Sequence, residues 1–150
     1  MQEVEAGRLN LDTDVNQYLD FTIPPFEGKP ITLRQIMTHT AGFEESVRYL
    51  IASDEKTMMP LEKLMKRALP QRVFAPGTTP AYSNYATALA GYIVQRVSGM
   101  PLETYIENRI FAPLGMARST FRQPLPAALK PLMSSGYDNS TGKAQRFEYV

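Results

Sequence analysis

The sequence contains no cysteine and no tryptophan, and it has one histidine, His39. Without cysteine the chain can form neither a disulfide framework nor a thiolate metal site. A single histidine without cysteine partners also makes a poor metal site, because zinc-type centres need three or four such ligands. The sequence therefore predicts no metal site, and nothing in it indicates a cofactor.

An excess of charge of one sign and a long apolar run are lacking as well. Sixteen Lys and Arg residues nearly balance fifteen Asp and Glu residues, so no basic face indicates nucleic acid or an anionic membrane surface. No apolar stretch approaches the ~20 residues that a membrane-spanning helix needs. Residues 1–20 have neither the basic start nor the apolar centre of a signal peptide. We expect no nucleic-acid partner and no membrane span in this chain, and composition indicates no compartment.

Turn signals are present between residues 75 and 82. In Pro76-Gly77, proline sets the φ of the second turn position and glycine adopts the positive φ of the third. Pro80 keeps the residue before it extended and away from helix. The sequence therefore predicts a stiff loop that presents Tyr82 next to the start of a helix.

A buried helix is predicted directly after this loop. Ser83 and Asn84 are both good N-cap residues, because a short side-chain oxygen can accept from the free N–H groups of the first turn. Apolar residues then recur at helical spacing and form one buried stripe, which consists of Ala86, Leu89, Ala90, Ile93 and Val97. Gly99 is expected to end the helix in a left-handed conformation. Tyr82 and Asn84 are thus held on a rigid part of the chain, as working side chains commonly are.

Shorter elements are predicted on both sides of this stretch. A capping box of Thr32 and Gln35 and a hydrophobic staple of Ile31 and Ile36 predict a short helix that stops near residues 40–42. Asp12 is expected to cap a short turn. The remaining predictions are an amphipathic helix over residues 60–69, a helix from residue 101 to before residue 113, a turn over 139–142 and a strand over 144–150.

His39 has two interpretations. As a functional group it would be a general base or a ligand. As a structural group, its side chain would bond the backbone and fix the loop around it, and we expect this second role. Composition alone leaves a Ser-His-Asp triad open, although no Gly-x-Ser-x-Gly nucleophile elbow supports one.

Three segments together carry a family resemblance. Residues 38–42 read Thr-His-Thr-Ala-Gly, residues 76–99 run from Pro-Gly through Tyr-Ser-Asn into a helix that ends Val-Ser-Gly, and residues 110–116 read Ile-Phe-Ala-Pro-Leu-Gly-Met. In this order they resemble motifs of the serine beta-lactamase-related family, which includes class C beta-lactamases, penicillin-binding-protein-like peptidases and related esterases. The resemblance covers about residues 7–121. It implies an α+β, beta-lactamase/transpeptidase-like fold, of which this chain would supply mostly the helical region with short strands near its C-terminus.

The resemblance also implies catalytic roles for Tyr82 and Asn84. In an acyl-transfer site a serine attacks a carbonyl, and a neighbouring group removes the serine proton and returns it to the leaving group. By resemblance, Tyr82 would be this general base and acid, and Asn84 would bond the substrate amide and help orient a lysine. A tyrosine needs neighbouring cations for this task, because the ordinary pKa of a phenol is about 10. From residue types alone, Tyr82 would more simply pack at a helix entrance.

Two motifs of the resembled family are missing. One is Ser-x-x-Lys, which precedes the His-Thr-Ser-Gly segment in that family, and the other is a Lys-Thr-Gly or histidine equivalent further on. Residues Ser53 to Lys56 do spell Ser-x-x-Lys, but their flanks are polar and they follow residues 38–42, so we treat them as a chance match. Residues 1–8 resemble the end of a helix that stops at Gly7. We therefore expect residues 1–150 to be an internal part of a longer serine hydrolase, with a candidate base but no nucleophile, and inactive alone.

Two functions follow from these observations. The parent protein would be a hydrolase that forms an acyl-enzyme with a small-molecule or peptide substrate, namely a beta-lactam, a D-amino-acid peptide or an ester. Alternatively, the chain would be a non-catalytic helical binding module on the same scaffold. The resemblance suggests the cell envelope or periplasm. Helices that belong against a missing sheet would expose apolar faces, so we also expect self-association.

Overall fold

A 15-residue helix, α4 (Asn84–Ser98), is the central element of one of the two compact units of the chain. Its N-cap is Ser83, and it ends at Gly99, whose φ of 69° is left-handed, as the sequence predicts. Of the predicted stripe, the side chains of Ala86, Leu89 and Ile93 are fully buried, whereas Ala90 and Val97 are half-buried. The period of the apolar residues therefore predicts the core face of α4 correctly.

The computed structural model describes residues 1–50, 52, 55–140 and 142–147. The chain divides into two compact units, each of which is formed by two stretches of sequence. The first unit comprises Met1–Ser46 and Pro60–Leu102, and the second comprises Val47–Met59 and Glu103–Val150. Within the described residues, no helix is long and apolar enough to cross a membrane.

In the first unit, three short helices pack against α4. These are α1 (Gln2–Glu5), α2 (Leu33–Met37) and α3 (Leu61–Arg67). Their apolar faces and the intervening loops form one core, whose largest fully buried side chains include those of Tyr92, Phe43, Ile23, Leu89 and Met65. In α3 the apolar residues Leu61, Leu64 and Met65 are buried or half-buried, and the charged residues are exposed, as expected for the amphipathic helix that the sequence predicts over residues 60–69.

Helix α2 begins with the predicted capping box. The Thr32 side chain accepts from the backbone N–H of Gln35, and the Gln35 side chain accepts from the backbone N–H of Thr32. Ile31 and Ile36 are both almost completely buried. The helix is one turn and a half long, and the chain leaves it at Thr38.

The prediction that Asp12 caps the next turn is wrong. The cap of the short 3-10 helix Val15–Gln17 is Asp14, whose carboxylate accepts from the backbone N–H of Asn16 at 2.9 Å. Asp12 instead forms a two-point ion pair with Arg34, with distances of 2.7 and 2.8 Å. Either aspartate could cap a helix, because both have a short side chain with acceptor oxygens. Asp12 does not cap this turn because its carboxylate pairs with Arg34, and Asp14 is the cap instead.

The described residues of the second unit include all of helix α5 except Leu102, a π-helical turn, two 3-10 turns and a hairpin. Helix α5 (Leu102–Ile106) continues as a π-helical turn over Glu107–Phe111, so the predicted helix does end before Pro113. The 3-10 turns are Glu55–Thr57 and Lys130–Leu132. Strands β1 (Gly136–Asp138) and β2 (Gln145–Phe147) pair antiparallel, with Gly136 opposite Phe147. The predicted strand is thus present over 145–147, and residues 148–150 lie outside the described part.

Candidate active site at the start of helix α4

The loop that carries Tyr82 is tied to the segment after helix α2. The turn predicted at Pro76-Gly77 is present: Thr78 N–H donates to the Ala75 carbonyl at 3.3 Å, and Gly77 has a φ of 80°. Gly77 N–H donates to the carbonyl of Thr40 at 2.8 Å, and Ala81 N–H donates to the carbonyl of His39 at 2.7 Å. Because both ends of the loop are held by these backbone hydrogen bonds, residues 76–83 are fixed against residues 38–42.

Tyr82 has an exposed ring and a bonded hydroxyl. The residue keeps 59% of its surface accessible, and its ring contacts the His39 ring in a tilted arrangement, with 4.8 Å between the ring centroids and 40° between the ring planes. Its hydroxyl donates to Oδ1 of Asn84 at 2.9 Å. The two residues that the sequence predicts as a catalytic pair are therefore in direct contact. A phenol placed in this way can still accept a hydrogen bond on its oxygen from a group that approaches through solvent.

Asn84 is the first residue of α4, and a carboxylate holds both of its donors. Glu45 accepts from the side-chain Nδ2 of Asn84 at 2.6 Å through Oε1, and from its backbone N–H at 2.9 Å through Oε2. The backbone N–H at this position has no partner within the helix, and a carboxylate near a helix N-terminus is favourable. Sequence reasoning missed Glu45. It lies 39 residues before Asn84, so no local pattern could indicate the pair.

Ser83, between the two candidate residues, has a structural task. Its side chain is 2% exposed, and its Oγ accepts from the backbone N–H of Ala86 at 3.2 Å. This is the hydrogen bond of an N-cap, as the sequence predicts. Ser83 therefore fixes the start of the helix, and the neighbouring Tyr82 faces solvent.

His39 fixes the loop in a different way from the predicted one. Its backbone carbonyl, rather than its side chain, bonds the loop through Ala81. Its backbone is left-handed, with a φ of 55°, and its Nδ1 is buried with no hydrogen-bond partner among the described residues. The side chain contributes the ring that contacts Tyr82 at a tilt of 40°.

Among the described residues, the charged group that hydrogen-bonds to this site is the carboxylate of Glu45. Within the part of the chain that the structure describes, no Lys or Arg forms a hydrogen bond or ion pair with Tyr82, Asn84 or Glu45. The described residues also include no cluster of three His, Cys, Asp or Glu side chains suited to a metal ion. The Ser-x-x-Lys match at 53–56 lies partly outside the described residues, because Ser53 and Asp54 do.

Comparisons with known proteins agree with the motifs. The chain is 28% identical over 144 residues to a protein of Escherichia coli (strain K12) that bears the name of a D-alanyl-D-alanine carboxypeptidase, a match that covers 85% of this chain and 31% of that protein. It is 31% identical over 133 residues to a protein of Bacillus subtilis (strain 168) named as penicillin-binding protein PbpX, covering 85% of this chain and 32% of that protein.

Among solved structures, the chain is similar to the octameric penicillin-binding protein homologue from Pyrococcus abyssi. The TM-score is 0.77 at 27% identity, and the match covers 98% of this chain and 35% of that one. This chain thus spans about a third of the length of the relatives it matches. The similarity confirms the predicted α+β, beta-lactamase/transpeptidase-like fold, of which the chain holds a mostly helical part.

The beta-lactamase family model matches residues 1–148, which is nearly the whole sequence. The predicted resemblance is confirmed, and the named relatives are of the carboxypeptidase and penicillin-binding kinds. The chain belongs to the beta-lactamase family.

Proposed function

We propose that the protein to which this chain belongs is a serine hydrolase that acts through an acyl-enzyme, with Tyr82 as general base and acid. The observation that carries the proposal is the position of the Tyr82 hydroxyl. The phenol is exposed, its loop is held by backbone hydrogen bonds at both ends, and its hydroxyl is bonded to Asn84. A proton-transfer group needs this combination of access and fixed direction.

In the proposed reaction the serine hydroxyl attacks a carbonyl carbon while its proton passes to the phenolate oxygen of Tyr82. The protonated Tyr82 then gives this proton to the leaving nitrogen or oxygen, and an acyl ester on the serine results. Asn84 bonds the substrate amide and helps to orient a lysine. In this proposal, the serine and the lysines that favour the phenolate belong to segments outside residues 1–150.

Three substrate classes fit this chemistry: a beta-lactam, a D-amino-acid peptide or a simple ester. The relative that bears the name of a D-alanyl-D-alanine carboxypeptidase supports a D-amino-acid peptide. The missing segments also shape the pocket, so the substrate class is tested on the parent protein.

The test of this function is covalent labelling of the full-length parent. A fluorescent penicillin and a fluorophosphonate probe are added separately, and the labelled peptide is identified by mass spectrometry. We expect an adduct on a serine outside residues 1–150, and none after heat denaturation. Absence of an adduct with both probes on well-folded parent protein would exclude an acyl-enzyme mechanism.

A non-catalytic helical binding module is the second candidate. The observation in its favour is that no Lys or Arg among the described residues forms a hydrogen bond or ion pair with Tyr82, Asn84 or Glu45, since a tyrosine base needs cations. The parent gene separates the two candidates. A Ser-x-x-Lys upstream of Met1 and a Lys-Thr-Gly or His-x-Gly downstream favour the hydrolase, whereas their absence favours the module.

A further inference from the structure

We propose that Glu45 is a positioning residue for the proposed hydrolase, because it fixes which end of the Asn84 amide faces Tyr82. The inference rests on the proposed function, in which Asn84 and Tyr82 act together. It adds a residue that neither the motifs nor the spacing of the sequence indicates.

The geometry of the contact determines the amide orientation. An ionised carboxylate is an acceptor only, so the group of Asn84 that faces Glu45 must be the donor, Nδ2. At 2.6 Å the bond is as short as a charge-assisted one. The second oxygen of Glu45 bonds the backbone N–H of the same residue at 2.9 Å, which stops the carboxylate from turning away. Oδ1 of Asn84 is left to face the Tyr82 hydroxyl, from which it accepts.

This orientation matters for the chemistry proposed above. An ammonium group brought to Tyr82 from elsewhere in the parent would meet the acceptor Oδ1 of Asn84. If the amide were turned over, the same ammonium would meet an N–H₂ group, and donor would face donor. The charge of Glu45 also favours a cation at this place. Glu45 thus orients the Asn84 amide so that its Oδ1 can accept from the cation, and Glu45 itself does not contact the substrate.

The chain offers a matched control for this role. Glu44 precedes Glu45 and carries the same charge, but its carboxylate accepts a long bond of 3.4 Å from the backbone N–H of Gln71 and does not bond Asn84. Glu44→Gln and Glu45→Gln therefore make the same change in charge at neighbouring positions. Both replace a carboxylate with an amide, but only Glu45→Gln changes the group that bonds Asn84. An amide there can donate as well as accept, so it permits both orientations of the Asn84 amide.

The experiment measures the rate constant for covalent labelling of the full-length parent by a fluorescent penicillin at saturating probe. We expect Glu45→Gln to slow labelling about tenfold, which is typical when an outer partner of a site residue is lost. Glu44→Gln should stay within about twofold of the wild type. In an Asn84→Ala background, Glu45→Gln should cause no further slowing, because Glu45 acts through Asn84.

The outcomes separate this inference from the proposed function. A wild-type rate for Glu45→Gln, or equal slowing with and without Asn84, overturns the positioning role and leaves the hydrolase in place. No labelling of the wild-type parent, or full labelling of Tyr82→Phe, rejects the proposed function and the inference with it. If Glu45→Gln fails to fold, judged by its melting temperature, Glu45→Asp replaces it. Its shorter side chain cannot reach both donors of Asn84, so slowing is expected there too, and a wild-type rate would again overturn the role.

Discussion

At the residue scale, the left-handed backbone of Gly42 marks the place where residues 38–42 approach residues 73–74. Gly42 has a φ of 84°, and its carbonyl accepts from the backbone N–H groups of Val73 and Phe74. A Cβ built on Gly42 would lie 2.1 Å from the carbonyl oxygen of Phe74. Gly42 is therefore needed for two reasons, because a side chain would be strained by the backbone angle and would also clash with a neighbouring backbone.

We predict that Gly42→Ala destabilises the protein far more than Gly99→Ala. Gly99 has a similar φ of 69°, but a Cβ there would meet nothing within 4 Å. We expect a loss of about 1 kcal/mol in the free energy of unfolding for Gly99→Ala, from backbone strain alone, and about 3 kcal/mol or more for Gly42→Ala. Urea denaturation of the two variants measures the difference. Equal losses would show that the close approach of Phe74 contributes nothing.

At the element scale, Asp20 connects helices α3 and α4. Its carboxylate accepts from the Lys66 ammonium of α3 at 2.8 Å and from the Tyr92 hydroxyl of α4 at 2.8 Å. The hydrogen bond from Lys66 holds the pKa of Asp20 below its ordinary value of 3.8. Asp20 is therefore charged in the folded protein at neutral pH, and it bridges the two helices of the first unit.

We predict that Asp20→Asn lowers the free energy of unfolding by about 1 kcal/mol at neutral pH. The pKa of Asp20 is lower in the folded state than in the unfolded state. The contribution of Asp20 to the free energy of unfolding is therefore complete when the pH is above 3.8, and it is lost as the pH falls through the folded-state pKa. Wild type and variant should converge in acid. Thermal unfolding across the pH range measures this, with Asp12→Asn as control, since the Asp12–Arg34 pair is more than half exposed and should contribute little. A constant difference at all pH values would contradict the account.

The elements also show which features the sequence can predict. The capping box at Thr32 and the left-handed end at Gly99 act within a few residues, and both were predicted correctly. The cap at Ser83 is one of the two residues that the sequence offered for that position. The hydrogen bonds between Glu45 and Asn84 join residues that are 39 apart in sequence. They depend on the tertiary fold, so no local sequence pattern predicts them. The same holds for Asp12, whose pairing with Arg34 across 22 residues removes it from the predicted cap. The roles of Tyr82 and Asn84 stay predictions, although the predicted pair is in contact.

At the scale of the whole molecule, large apolar side chains are exposed in the second unit. Leu114 is 69% and Met133 is 66% exposed. We propose that these surfaces lie against other segments in the parent protein, and that residues 1–150 expressed alone self-associate through them.

Size-exclusion chromatography with light scattering should show species larger than the chain mass of 16.9 kDa. Charged substitutions, Leu114→Lys with Met133→Lys, should reduce them, and a monomer at every concentration would contradict the proposal.

The central claim, that Tyr82 transfers the proton in the parent protein, is tested most directly by the rate of acylation of Tyr82→Phe. The matched control is Tyr137→Phe, which removes a hydroxyl from another exposed tyrosine, 62% accessible against 59% for Tyr82. With a fluorescent penicillin as probe, we predict that Tyr82→Phe slows labelling about a hundredfold or more, as loss of a general base does, while Tyr137→Phe labels like the wild type. Labelling of Tyr82→Phe at the wild-type rate would contradict the claim.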